Sequence, residues 1–101
     1  MVKHIVFWRL KESAGGVPAE TNAEEIRTRL MALPDVIPEI REFEVGLNFD
    51  SSDAAFDVAL YSSFASREEL LTYQAHPEHV RVKDFIVSVV SDRAVVDYEI
   101  G

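Results

Sequence analysis

An α+β domain with the element order β-α-β-β-α-β is what this sequence predicts, and three observations predict it. The chain opens on a β-branched and aromatic run, VKHIVFWRL, and closes on another, RAVVDYEI. Two internal runs, IREFEVGLNF and AFDVALYSSF, place apolar residues at a period of two. Stretches with helical apolar spacing lie before and after that central pair.

Taken in order, residues 2–10 sort His4, Val6, Trp8 and Leu10 to one side of a strand and Ile5 and Phe7 to the other. Both sides are apolar, so this strand is covered on both faces. KESAGGVPAETN reads as a polar Gly/Pro loop. Ala23, Ile26, Leu30 and Leu33 then recur at helical spacing until Pro34 ends the helix, and PDVIPEI is a turn. The second strand, residues 40–49, carries Phe43, Val45 and Leu47 in phase, and NFDSSDA connects it onward. The third, residues 55–64, puts Phe56, Val58 and Leu60 on one face and Ala59 and Tyr61 on the other.

Ser66 precedes Glu69 by three, a capping-box spacing that starts a helix on which Leu70 and Tyr73 share a face. His76-Pro77 interrupts it, and because proline suits a first helical position a second short helix begins there, carrying His79, Val80 and Val82 or Lys83. FIVSVV suits either helix or strand and is read as helix; a last strand, 93–100, points Val95 and Val96 to opposite sides. The order is ferredoxin-like: a four-stranded antiparallel sheet with helices on one face. The other sheet face, with Ile5, Phe7, Phe43 or Val45, and Tyr61, is too apolar for water. A twofold homodimer packing sheet on sheet would cover it.

The chain has 101 residues, 48% of them apolar, which predicts one domain, 1–101, around one core. Ten basic against eighteen acidic residues give a net charge of −8, a field that repels phosphate backbones and argues against nucleic-acid partners. The absence of cysteine excludes a disulfide scaffold and thiolate chemistry and permits a reducing compartment. Arg9 breaks the apolar run Ile5–Trp8 too early for a signal peptide or a membrane span, so a soluble, cytoplasmic protein without a membrane partner is expected. No phosphate loop, dinucleotide fingerprint or nucleophile elbow occurs.

The stretch YQAHPEHVRV holds two of the three histidines and a tyrosine. Removing a proton next to a carbonyl needs a base titrating near neutrality, and an imidazole with an ordinary pKa of about 6.5 suits that. A tyrosine hydroxyl can donate to the enolate oxygen that results. Structural readings stand beside this one. His76 fits a capping or packing residue before Pro77, Tyr73 fits a core aromatic, and His79 and His4 fit polar groups hydrogen-bonded to backbone. A metal held by His76, His79 and His4 is disfavoured by the intervening proline and by the lack of a flanking zinc-motif glutamate. Glu24-Glu25 and Glu68-Glu69 read as first-turn charges answering the helix dipole.

The segments KHIVFWRLK, VIPEIREFEVGLN, YQAHPEHVRV and VVDYE, in this order, resemble the stress-responsive α/β-barrel (Dabb) family. That resemblance implies two ferredoxin-like protomers joined through their sheets into a dimeric α+β barrel. It also implies a pocket between sheet and helices, lined here by Val6, Trp8, Ile26, Leu30, Leu60, Val82 and Val95. Olivetolic acid cyclase, a plant polyketide cyclase of the family, performs an aldol condensation without metal or organic cofactor. By that likeness its catalytic tyrosine and histidine correspond to Tyr73 and His79, helped by His4. Gln74, Lys83 and Arg93 fall where the cyclase has apolar or very small residues, and Trp8 is bulkier, which leaves little room for a long alkyl tail. Some members hold a structural divalent cation on carbonyls, here around residues 31–37. Three functions follow as expectations. The first is a cofactor-free lyase or cyclase acting on a small carbonyl compound, with His79 as base and Tyr73 as donor. The second is a non-enzymatic stress or ligand-binding dimer in which Gln74, Lys83 and Arg93 hold an anionic group. The third, by fold analogy, is a cofactor-free monooxygenase.

Overall fold

A computed structural model describes residues 1–101. Its elements are β1 (Val2–Leu10), β2 (Ser13–Ala14), β3 (Val17–Pro18), α1 (Ala19–Met31), β4 (Glu42–Leu47), β5 (Val58–Phe64), α2 (Arg67–Ala75), α3 (Pro77–Val89) and β6 (Val90–Glu99). The large sheet runs β4-β5-β1-β6, with every neighbouring pair antiparallel, which is the ferredoxin-like order. The central strand β1 pairs Val6 with Leu60 on one side and with Val95 on the other.

The period of two along β1 decides what each face does. Val2, His4, Val6, Trp8 and Leu10 are buried under the helices. The four apolar ones pack with Val58, Leu60 and Phe64 of β5, with Ile26 and Leu30 of α1, and with Tyr73 and Ile86 of the later helices. Phe7 points the other way and is 43% exposed. The same open face carries Val96 and Tyr98, both exposed, and half-buried Ile5 and Tyr61. A polar cluster crosses that face: Lys3 Nζ donates to Tyr61 Oη (2.5 Å) and Glu42 Oε1 (2.9 Å), and Ser63 Oγ donates to the same carboxylate (2.8 Å). The hydrogen bonds from Lys3, Ser63 and Tyr61 hold the Glu42 carboxyl down to about 2.

Several local readings are corrected by the packing. Phe43 and Val45 turn to the helix side, because β4 pairs Phe43 with Ser62 and Val45 with Leu60; Glu42, Glu44 and Gly46 take the open face. Phe56 lies before β5 rather than in it, and its ring packs on Phe7 with centroids 6.0 Å apart. The loop 11–22 contains the β2–β3 hairpin, whose turn needs positive φ at Gly15 (62°) and Gly16 (75°). Helix α1 starts four residues before Ala23, and buried Asn22 ties it to the hairpin by donating to the Ala14 and Val17 carbonyls. A 3₁₀ turn, Leu33–Asp35, follows α1 where Pro34 stops it. Ser66 caps α2 by accepting from the Glu69 amide at 3.1 Å, and FIVSVV continues α3 as far as Val89. No helix is long and apolar enough to cross a membrane.

Candidate functional site

The α2–α3 corner builds the site from one dipeptide. A residue before proline is pushed out of the helical region, so His76 is extended (φ −62°, ψ 134°) and ends α2, while Pro77 opens α3. His76 Nδ1 accepts from the Glu78 amide at 3.1 Å, which makes it the cap of α3. Along one straight helix Tyr73 and His79, six residues apart, would diverge by roughly 120°. The corner brings them together instead, with ring centroids 4.5 Å apart at an interplanar angle of 61°.

Both rings line a cavity of about 450 Å³ between the sheet and α2–α3. His4 joins them from β1, its ring edge-on to Tyr73 at 6.3 Å. The sheet and α1 supply an apolar wall of Val6, Trp8, Leu60 and Leu30, and α3 adds Val82. Gln74, Lys83 and Arg93 supply the polar lining. Two residues expected at the wall are elsewhere. Ile26 is wholly buried in the core one turn before Leu30, and Val95 stands beside Val6 on the edge strand β6, 44% exposed and outside the cavity lining. Ile86, Val87 and Val90 complete the cavity; the ambiguity of FIVSVV between helix and strand hid them, because the facing side could not be assigned.

Asp97 is a further residue that sequence reasoning passed over. Register pairs it with His4, and His4 Nδ1 sits 2.5 Å from its Oδ1. This contact orients the ring and leaves Nε2 free. The signal was present as a polar residue on the helix-side phase of the last strand, but it needed the β1–β6 register to be read.

The electrostatics follow from burial. Desolvation pushes the Tyr73 hydroxyl well above its ordinary range, so it stays a proton donor. Desolvation holds His79 below its ordinary value; the Gln74 backbone pulls the other way, and electrostatic interaction with His4, Lys83 and Arg93 adds to the depression. His79 is thus neutral at pH 7 and able to accept a proton. Tyr73 Oη and His79 Nδ1 are buried without a hydrogen bond of ordinary geometry in the chain; the Gln74 backbone lies near enough to act on the imidazole but does not complete one. Buried polar atoms are nearly always paired, so two exceptions in adjoining rings ask for a reason.

As to metals, no group of three or more His, Asp or Glu side chains is arranged to hold an ion, and His76 spends its Nδ1 on the cap. In the turn after α1, the Leu33 carbonyl accepts from the amides of Val36 (3.0 Å) and Ile37 (2.9 Å).

The family model described as Stress responsive A/B Barrel Domain (Dabb) matches residues 2–100. A stress-response A/B barrel domain-containing protein of Arabidopsis thaliana is 31% identical over 99 residues, covering 97% of this chain and 36% of that protein. This chain therefore spans little more than a third of that relative's length. A dimeric protein of unknown function with a ferredoxin-like fold, from Bacteroides fragilis NCTC 9343, superposes with a TM-score of 0.83 at 36% identity, covering 98% of this chain and 95% of that one. Hydroxynitrile lyase from Passiflora edulis superposes with a TM-score of 0.81 at 24% identity, covering 99% and 93%. At that identity the likeness is one of fold.

Proposed function

This chain belongs to the stress-responsive A/B barrel (Dabb) domain family, and from that premise we propose that it is a homodimer whose cavity moves a proton next to a carbonyl group without a cofactor. The observation that carries the proposal is the pair of unpartnered buried atoms, Tyr73 Oη and His79 Nδ1, in rings that line one cavity. Leaving such groups unpaired costs about 1–3 kcal/mol each, which folding alone would select against. A ligand carbonyl and its adjacent C–H group would satisfy both.

In the proposed step the neutral His79 imidazole takes a proton from the carbon beside the carbonyl. The C–H electron pair moves into the carbon–carbon bond, and the charge gathers on oxygen as an enolate. The Tyr73 hydroxyl donates to that oxygen. The His79 imidazolium, after exchanging its proton with solvent, is the donor for the return step, and His4, its Nδ1 held by Asp97, presents Nε2 to the same cavity from β1. The enolate carbon then either regains a proton, which completes an exchange, or attacks a second carbonyl whose oxygen takes the proton held by His79; that addition, or its reverse, is the cyclase or lyase chemistry proposed for a small substrate. The homodimer is supported by the exposed apolar face of Phe7, Val96 and Tyr98 and by the dimeric Bacteroides relative.

The test is deuterium exchange at C3 of ethyl 2-oxo-4-phenylbutanoate in D₂O, followed by proton NMR. Wild-type protein should accelerate exchange, and His79→Ala should lose about 10²–10⁴-fold of that acceleration. Tyr73→Phe should lose about 10²–10³-fold. Rates for both variants within threefold of wild type would sink the proposal. In that case the ligand-binding reading, a dimer that captures small molecules without turnover, takes its place.

A further inference from the structure

The ten basic side chains divide sharply. Lys3, Arg9, Arg27, Arg29, Arg41, Arg67 and Arg81 each pair with a carboxylate, and Lys11 donates to the Ser88 carbonyl. Lys83 and Arg93 are the two whose side chains have no partner, and both line the cavity beside His79. In a chain with eighteen acidic residues and a net charge of −8, carboxylates are plentiful. Two cations left unpaired at the same cavity, one from α3 and one from β6, form a seat for negative charge. Gln74, on α2, adds an amide to the same lining.

The remaining wall is apolar, with Val6, Trp8, Leu30 and Leu60 along the sheet and α1. An occupant that satisfies both halves has an anionic head and a compact apolar body. We infer that the cavity takes a small carboxylate-bearing carbonyl compound, its carboxylate held by Lys83 and Arg93 and its carbonyl turned toward Tyr73 and His79. Arg93 has the planar fork that matches a carboxylate with two parallel hydrogen bonds, and Lys83 supplies a point charge. The inference rests on the proposed function for the direction of the carbonyl, but the anion seat stands on the two free cations alone.

The matched probes are 2-oxo-4-phenylbutanoate and its ethyl ester, which differ in one charge. Affinities by titration calorimetry should favour the acid at least tenfold in wild-type protein. In the double variant Lys83→Gln/Arg93→Gln that preference should collapse to within threefold. The single variants should each lose part of it, and circular dichroism checks that each is folded. Equal affinity for acid and ester, a preference that survives the double variant, or no measurable binding of the acid would each overturn the inference. Exchange at C3, measured on the same samples, separates the two ideas. An acid preference without exchange keeps the anion seat and removes the proton transfer; exchange without an acid preference does the reverse.

Discussion

One strand serves two surfaces, and they differ in what their polar groups are doing. On the helix side of β1, His4, Val6 and Trp8 form part of the cavity wall, and two polar atoms of the helices lining that cavity, Tyr73 Oη and His79 Nδ1, lack partners. On the other side, Phe7 and half-buried Ile5 face outward, while the polar groups, Lys3 with Tyr61 and Glu42, are fully engaged with each other. A satisfied polar cluster amid exposed apolar residues is what an association surface needs, since nothing is left to be desolvated unpaired. A surface with unsatisfied groups inside a recess is what a ligand site needs. The two faces arise from a period of two along β1, and the His76-Pro77 corner adds the unpartnered atoms to one of them.

The largest effect should come from breaking the outer face. Phe7→Lys places a charge from each protomer on the open sheet face that the proposed dimer would bury and strips the apolar contact with Phe56. Sedimentation equilibrium should show the dimer dissociation constant raised at least 100-fold, about 2.7 kcal/mol at 1.36 kcal/mol per tenfold. The cavity residues lie on the opposite side of the sheet, so His79→Ala should leave the dimer intact. A wild-type protein that sediments as a monomer at micromolar concentration would remove the outer half of the comparison.

The two surfaces were unequally legible in the sequence. Strand phase alone separated His4, Val6 and Trp8 from Ile5 and Phe7, because side-chain direction in a strand is set by parity. The α2–α3 corner was legible because proline acts on its immediate neighbour, which also identified His76 as a cap. Pairing was not legible. The partner of His4 is 93 residues away, so Asp97 required the β1–β6 register. The expectation that Phe43 or Val45 would face outward failed for the same reason: in a strand of even alternation, only the partner strand says which phase is inside. Val95 shows the limit in another form, since the right face on an edge strand still leaves a side chain beyond the helices' cover.

A smaller effect should sharpen the cavity half. Tyr73→Phe removes a buried hydroxyl that has no partner and keeps a ring packed against Phe64, Phe43 and His79. Urea unfolding should find the variant unchanged or more stable by about 1 kcal/mol, the relief of an unpaired polar group. A loss of more than about 1 kcal/mol would mean the hydroxyl is paired within the fold, and its availability to a ligand would go with it.

The smallest effect is a pH dependence, and its sign is fixed by burial. The folded-state pKa of His79 lies below the ordinary value, so the unfolded chain takes up the proton first as pH falls. The contribution to stability is therefore full above about pH 6.5 and declines below it until the folded pKa is passed, at no more than about 1.36 kcal/mol per pH unit. His79→Gln should flatten that part of the profile, read as the difference between wild-type and variant urea curves at pH 7.5 and 5.5. The same shift governs turnover. Exchange should lose rate on the acid side with a midpoint below about 6.5, and Tyr73, raised by desolvation, should add no alkaline limb below about pH 10. Lys83 and Arg93 supply part of the repulsion that depresses His79, with His4 beside them. Lys83→Gln/Arg93→Gln should therefore move the acid limb upward, toward the ordinary histidine value. A limb that stays in place would mean that the two cations lie too far from the imidazole to set its charge, and that burial, with His4, tunes the base.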